Sequence, residues 1–144
     1  MIRYLIDSSA LWRLLRDDDL RAAWAPIVAE GAVGSCSAQR TEFRRSARNP
    51  TEFRDMNHMF DTLYADVAVP KTAWRWAETA QHALVAAGAH RALSVTDLLI
   101  CATAARRGLA VLHDDNDFTA ASRHLTDVAE HRVLDIPHTD RRGD

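Results

Sequence analysis

The stretch Leu109-Ala110-Val111-Leu112-His113-Asp114-Asp115-Asn116-Asp117-Phe118 limits the fold more than any other part of the chain. Four apolar residues after Gly108 read as a buried strand, and the acidic turn that follows puts charge at that strand's C-terminal end. That end is where open α/β sheets keep their sites. Three aspartates within four residues repel one another, so they call for a bound cation, cationic side chains or full solvation.

The remaining chain alternates short apolar runs with amphipathic segments. Tyr4-Leu5-Ile6 predicts a strand ending at Asp7, with Ser8-Ser9 leading into a helix that carries Leu11, Trp12, Leu14 and Leu15. Leu20, Ala23, Trp24, Ile27 and Val28 recur at helical spacing in a second helix that Gly31 ends. Ala32 to Cys36 predicts another strand, and Ser37 is expected to cap a helix on which Arg40, Arg44 and Arg48 share one face. Asn49-Pro50 breaks that helix, and Thr51 starts one carrying Phe53, Met56, Met59, Phe60 and Leu63. After an apolar interlude at 66–70, a long helix runs from Lys71 to Ala87, and another from Leu98 to Arg107 with Thr96-Asp97 at its start. A short helix after Asp115 and a last strand over His131 to Leu134 complete the reading. This alternation predicts an α/β fold, a central parallel sheet of about four or five strands with helices on both faces. One domain is expected over residues 1–137, with a polar tail at 138–144.

Composition narrows the function. A net charge of −2 supplies no global basic field, so any nucleic-acid contact must come from a local patch. Cys36 and Cys101 have no C-x-x-C spacing, and no apolar window reaches membrane-spanning length, which predicts a cytoplasmic chain without membrane association. The single lysine, Lys71, lies mid-chain at a helix start. That placement argues against a receiver-like acidic pocket working by phosphotransfer, which pairs its acids with a lysine after a late strand.

Right-handed crossovers bring the C-terminal ends of parallel strands to one edge. Asp7, Asp97, Asp115 and Asp117 can therefore gather in one cleft although they lie far apart in sequence. Singly, each has an ordinary explanation as a helix cap or a solvated turn residue. Jointly they are costly, because two carboxylates about 4 Å apart repel by about 4 kcal/mol at an effective dielectric of about 20. A divalent cation removes that cost, and carboxylate ligation favours Mg²⁺ or Mn²⁺ over zinc. Such a site supports in-line displacement at phosphorus by metal-activated water. His113, at a strand end, reads as a packed or hydrogen-bonded residue rather than a general base.

These residues resemble the motifs of PIN domains. Tyr4-Leu5-Ile6-Asp7-Ser8-Ser9 is similar to the opening motif, Glu42 within Gln39-Arg40-Thr41-Glu42-Phe43 to the second acid, Thr96-Asp97-Leu98-Leu99-Ile100 to the third, and His113-Asp114-Asp115-Asn116-Asp117-Phe118 to the closing H-x-D-x-D-F. Order, spacing and length most resemble the VapC toxins of bacterial VapBC toxin-antitoxin modules, over residues 2 to about 136. The resemblance implies an Mg²⁺-dependent endoribonuclease, with Mn²⁺ able to substitute. Asp7, Glu42, Asp97, Asp115 and Asp117 would form its site, and Ser9 would hold or orient a carboxylate or a metal water. Glu42 follows from the resemblance alone, since Arg40, Arg44, Arg45 and Arg48 offer it ordinary ion pairs. Asp114 stands where the family more often has an aromatic or apolar residue. It is expected to turn outward as a helix-entry residue, leaving Asp115 and Asp117 to the metal. The same resemblance implies a homodimer and a VapB-type antitoxin laid into a groove between the helices of Trp12 and Trp24, with Trp12 as a contact. A PIN fold acting only by binding is the competing reading.

Overall fold

The computed structural model describes residues 1–138, so most of the expected tail lies outside the described residues. The chain runs β1 (Tyr4–Ile6), α1 (Ser8–Arg16), α2 (Asp18–Ala29), β2 (Val33–Ser35), α3 (Ser37–Arg44), α4 (Pro50–Leu63), β3 (Ala65–Asp66), α5 (Ala73–Ala86), α6 (Val95–Arg107), β4 (Ala110–His113), α7 (Asn116–Ser122) and β5 (Ala129–Arg132). The five strands are all parallel, in the order β3-β2-β1-β4-β5. Connections run outward one way from β1 and the other way from β4, so the sheet reverses direction between them. Crevices at the C-terminal ends of strands form at such a reversal.

Alternation along the central strands feeds two cores. Leu5 and Val111 point into a cluster with Ala77, Leu84, Ile100, Cys101 and Phe118 from α5, α6 and α7. Tyr4, Ile6 and Leu112 point the other way, into a cluster with Leu11, Leu14, Trp24, Ile27 and Phe60 from α1, α2 and α4. The period of two thus places a helical layer on each face. Trp24 is fully buried, and its indole N–H donates to the Val133 carbonyl at 2.8 Å, tying α2 to the end of β5.

Several boundaries differ from the sequence reading for local reasons. Helix α3 stops at Arg44 because the Arg45 N–H bonds back to the carbonyls of Glu42 and Phe43, closing the last turn tightly. Arg48 therefore leaves the face shared by Arg40 and Arg44, and it pairs instead with Glu52 at 2.7 Å. Cys36, not Ser37, occupies the cap of α3, without a side-chain hydrogen bond. Asn49 caps α4, which begins at Pro50. Helix α6 starts at Val95 because Ser94 caps it, and Gly108 closes it with φ 68°. The last strand lies two residues earlier than expected, since its pairing follows β4 from Ala110↔Ala129 to His113↔Arg132 and Asp135 then turns back onto Arg132.

Gly34 marks the tightest approach in the sheet. A Cβ there would stand 2.6 Å from Val67 Cγ2 and 3.0 Å from the Ala65 carbonyl oxygen. Gly34→Ala should lower stability by about 1–3 kcal/mol through overpacking, read as a drop in the thermal unfolding midpoint; an unchanged midpoint would show that β3 yields freely.

Candidate metal centre

Asp7 follows β1 directly, and its N–H donates to the Leu112 carbonyl at 2.8 Å, carrying the β1–β4 ladder one step past the strand. The acid is thus held at the reversal point, 4% exposed, as the N-cap of α1. Its Oδ2 accepts from the Ser9 N–H at 3.0 Å and from the Ser9 hydroxyl at 2.5 Å. Its Oδ1 is buried with no hydrogen-bond partner. Ser9 also accepts the Asp114 N–H at 2.9 Å, linking the two acidic turns.

Asp97 and Asp115 repeat this arrangement. Asp97 sits in a capping box at the start of α6, its Oδ2 accepting the Ser94 N–H at 3.0 Å. Asp115 is the N-cap of α7, its Oδ1 accepting the Asp117 N–H at 2.9 Å. In each of the three, one carboxylate oxygen is pinned by a helix start. The other has no hydrogen bond among the described residues. Helix N-termini carry partial positive charge, which tempers the accumulation of anions.

The acids sense one another. Burial is the main cause that raises the Asp7 carboxyl from its ordinary 3.8 to about 6, opposed by the Ser9 hydrogen bonds and reinforced by Asp97 and Glu42. Asp97 is raised as well, by burial first, against its bonds to Ser94, and then by Glu42 and Asp115. Four carboxylates from four elements, Asp7, Glu42, Asp97 and Asp115, thus lie within electrostatic reach. Asp117, exposed in the first turn of α7, meets the group through its N–H on Asp115.

The arginines around Glu42 turn to other partners. Arg40 goes to Asp66 at 2.7 Å and to Ser35, Arg44 goes to Asn57 at 3.0 Å, and Arg48 goes to Glu52. Among the described residues Glu42 makes no ion pair, so its half-buried charge is left facing Asp7 and Asp97. Asp114 does turn from the other acids, toward Arg13 at 3.5 Å and Arg132 at 4.0 Å, but these shield it and its side chain is only 19% exposed. The helix-entry role expected for Asp114 belongs to Asp115. Arg13 and Arg132 were not legible as site neighbours: Arg13 lies one helical turn after Ser9, and Arg132 is placed only by the β4–β5 register.

Among the described residues no three His, Cys, Asp or Glu side chains stand close enough together to enclose an ion as they are. The acids are pinned to separate helix starts, which holds these like charges apart. The donor set still fits a hard divalent cation, since it consists of carboxylate oxygens, one of them buried and orphaned.

The Asp7 carboxyl gives this a measurable sign. Because its folded-state value lies above the unfolded one, the stability it contributes is full below about pH 4 and is lost as pH rises through about 6, a cost to the metal-free fold of about 3 kcal/mol at neutral pH. Asp7→Asn should therefore raise the unfolding free energy of the metal-free protein at pH 7.5, by about 1–3 kcal/mol, and flatten its decline between about pH 4 and about pH 6. Denaturant titration checks both, and an Asn variant no more stable than its parent at pH 7.5 would contradict the strained carboxylate.

A family model for the PIN domain matches residues 4–124. The ribonuclease VapC6 of Mycobacterium tuberculosis is 60% identical over 107 residues, covering 74% of this chain and 84% of the relative. The ribonuclease VapC21 of the same organism is 34% identical over 116 residues, covering 81% and 83%. Among solved structures, VapBC-1 from nontypeable Haemophilus influenzae superposes with a TM-score of 0.73 at 13% identity, over 93% of this chain and 99% of that one. VapBC2 from Rickettsia felis, bound to a DNA fragment from its promoter, superposes with a TM-score of 0.72 at 11% identity, over 92% and 98%. With an acidic edge built at the sheet reversal and relatives of this closeness, the chain belongs to the PIN domain family and, within it, to the VapC proteins.

Proposed function

We propose that the chain is an Mg²⁺-dependent endoribonuclease toxin, with Mn²⁺ able to substitute, that a VapB-type antitoxin holds inactive. One observation carries the reading: Asp7, Asp97 and Asp115, from three separate elements, each have one oxygen pinned by a helix start and one left open, with Glu42 facing the same point. Asp7, Asp97 and Asp115 would hold the cation, with Asp117 adjoining through Asp115 and Glu42 completing the catalytic acids. When bound, the cation supplies neutralisation of these charges and activation of water for in-line attack on an RNA phosphodiester. Ser9 keeps Asp7 oriented by donating twice to its Oδ2. Arg13 and Arg132, loosely engaged by Asp114, flank the acids and offer the local positive charge that flanking RNA phosphates need on a chain of net charge −2.

An antitoxin partner is supported by the similar solved structures, which are of VapBC proteins. An apolar groove of about 590 Å³ lies between α1, α2 and α4, lined by Leu14, Leu15, Val28, Met59 and Leu63. Leu15 and Leu63 are 40% and 42% exposed there, apolar surface suited to a docked amphipathic segment. Trp12 is not part of this lining; its ring packs on Phe43 with centroids 4.5 Å apart. A homodimer is the proposed assembly, and Trp74 and Val85, three turns apart on one face of α5, are exposed apolar residues it would cover. Among the described residues no helix is long and apolar enough to cross a membrane.

Purified protein should cleave RNA in Mg²⁺ or Mn²⁺ to 5′-phosphate and 3′-hydroxyl ends, and EDTA or Asp97→Asn should reduce cleavage to background. Full cleavage by the Asn variant would overturn the site. Leu63→Asp should keep this cleavage while weakening antitoxin binding at least about tenfold, the scale of one buried anchor in an interface. Unchanged affinity in a titration would move the antitoxin off the groove.

A further inference from the structure

We propose that His113 and Glu130 form a positioning pair that sets Asp115 for the cation through its peptide N–H, so that His113 serves the reaction without touching substrate. This rests on the metal-dependent reading above. His113 ends β4 and is fully buried, its ring packed on Phe118 with centroids 5.3 Å apart. Both ring nitrogens are engaged. Nδ1 stands 3.1 Å from the Asp115 nitrogen and accepts its N–H. Nε2 stands 2.5 Å from Glu130 Oε2.

These contacts select one tautomer. A ring nitrogen that accepts an amide N–H carries no proton, so the proton resides on Nε2 and is donated to the Glu130 carboxylate. No ring nitrogen remains to take a proton from a nucleophile, which removes the general-base role. Glu130 reaches the ring because it lies opposite Val111 in the parallel register, and residues two apart on a strand share a face, so it points to the same side as His113.

Asp115 is thereby held at both ends. Its N–H goes to His113 and its Oδ1 accepts from Asp117, which leaves Oδ2 with its direction determined. Without the Glu130 carboxylate the buried Nε2–H has no acceptor, and moving the proton to Nδ1 sets two donors against each other at the Asp115 amide. The turn must then shift, carrying Asp115 with it. Outer partners of this kind orient metal ligands and commonly alter affinity by about 10–100-fold. No sequence signal points to Glu130, because its link to His113 exists only in the strand register.

Isothermal titration with Mn²⁺ tests the pair alongside RNA cleavage. Glu130→Leu should weaken Mn²⁺ binding at least about tenfold and lower kcat while leaving KM for RNA near that of the parent. Glu130→Gln, which keeps an oxygen acceptor for Nε2–H, should stay close to the parent in all three. Parent-like Mn²⁺ binding by Glu130→Leu, a rise in KM alone, or a Gln variant as impaired as the Leu variant would overturn the pair. A second readout needs no variant: the imidazole ¹H–¹⁵N spectrum should show His113 protonated on Nε2 only, and a proton on Nδ1 would overturn the assignment even if Glu130→Leu fails to fold. If the unaltered protein binds no Mn²⁺, the metal reading itself falls, and this inference with it; that result appears before any variant is compared.

Discussion

Repulsion among half-buried carboxylates is the constraint around which this chain is built. Asp7 is nearly inaccessible to water and faces Asp97 and Glu42, while Asp97 faces Glu42 and Asp115. A packed interior normally avoids such a group, because each charge loses solvent and gains a like neighbour. The sheet nonetheless forces them together. Strand order reverses between β1 and β4, the two strands pair from Tyr4↔Ala110 to Ile6↔Leu112, and the residues that follow have no choice but to meet.

The protein contains the repulsion with helix starts rather than with counter-charges. Asp7 caps α1, Asp97 closes the box at the start of α6, and Asp115 caps α7. Each cap consumes one oxygen and leaves the other uncommitted, so the same hydrogen bonds that make the acids tolerable also aim them. The arginines near the edge point away from the four acids: Arg40 goes to Asp66 and Arg44 to Asn57, while Arg13 and Arg132 stand on the outer side beside Asp114. A guanidinium placed among the four acids would quench the charge that a cation needs. The Asp7 carboxyl is therefore strained as it stands, burial raising it to about 6.

What could be read from residues alone follows the range of the interaction. Strands β1, β2 and β4 were legible because short apolar runs between turn residues need no distant partner, and Gly108 showed as a helix stop because its left-handed φ favours glycine. Asp7, Asp97 and Asp115 could be suspected because each adjoins a strand end or a helix start. Glu42 was different: on an arginine-rich helix it reads as surface, and only family resemblance singled it out. The structure supplies the missing physics, since the arginines turn to other partners once the β2–β3 edge and α4 are in place. Glu130, Arg13 and Arg132 left no trace in the sequence, for their roles exist only in the pairing of β5 with β4 and in the packing of α1 beside it. The exposed Leu15 and Leu63 looked like core residues by spacing, and helical periodicity cannot distinguish a face packed on the sheet from one lining an open groove.

The central claim is that one divalent cation resolves the repulsion at the sheet reversal, and the most direct measurement is anomalous diffraction from crystals of the protein grown with Mn²⁺. The account predicts an anomalous peak within coordination distance of the orphaned Asp7 Oδ1, with Asp97 and Asp115 drawn toward it and Glu42 beside it. A peak elsewhere on the molecule, or an acidic edge with no peak and Asp7 Oδ1 bonded to a protein donor instead, would contradict it.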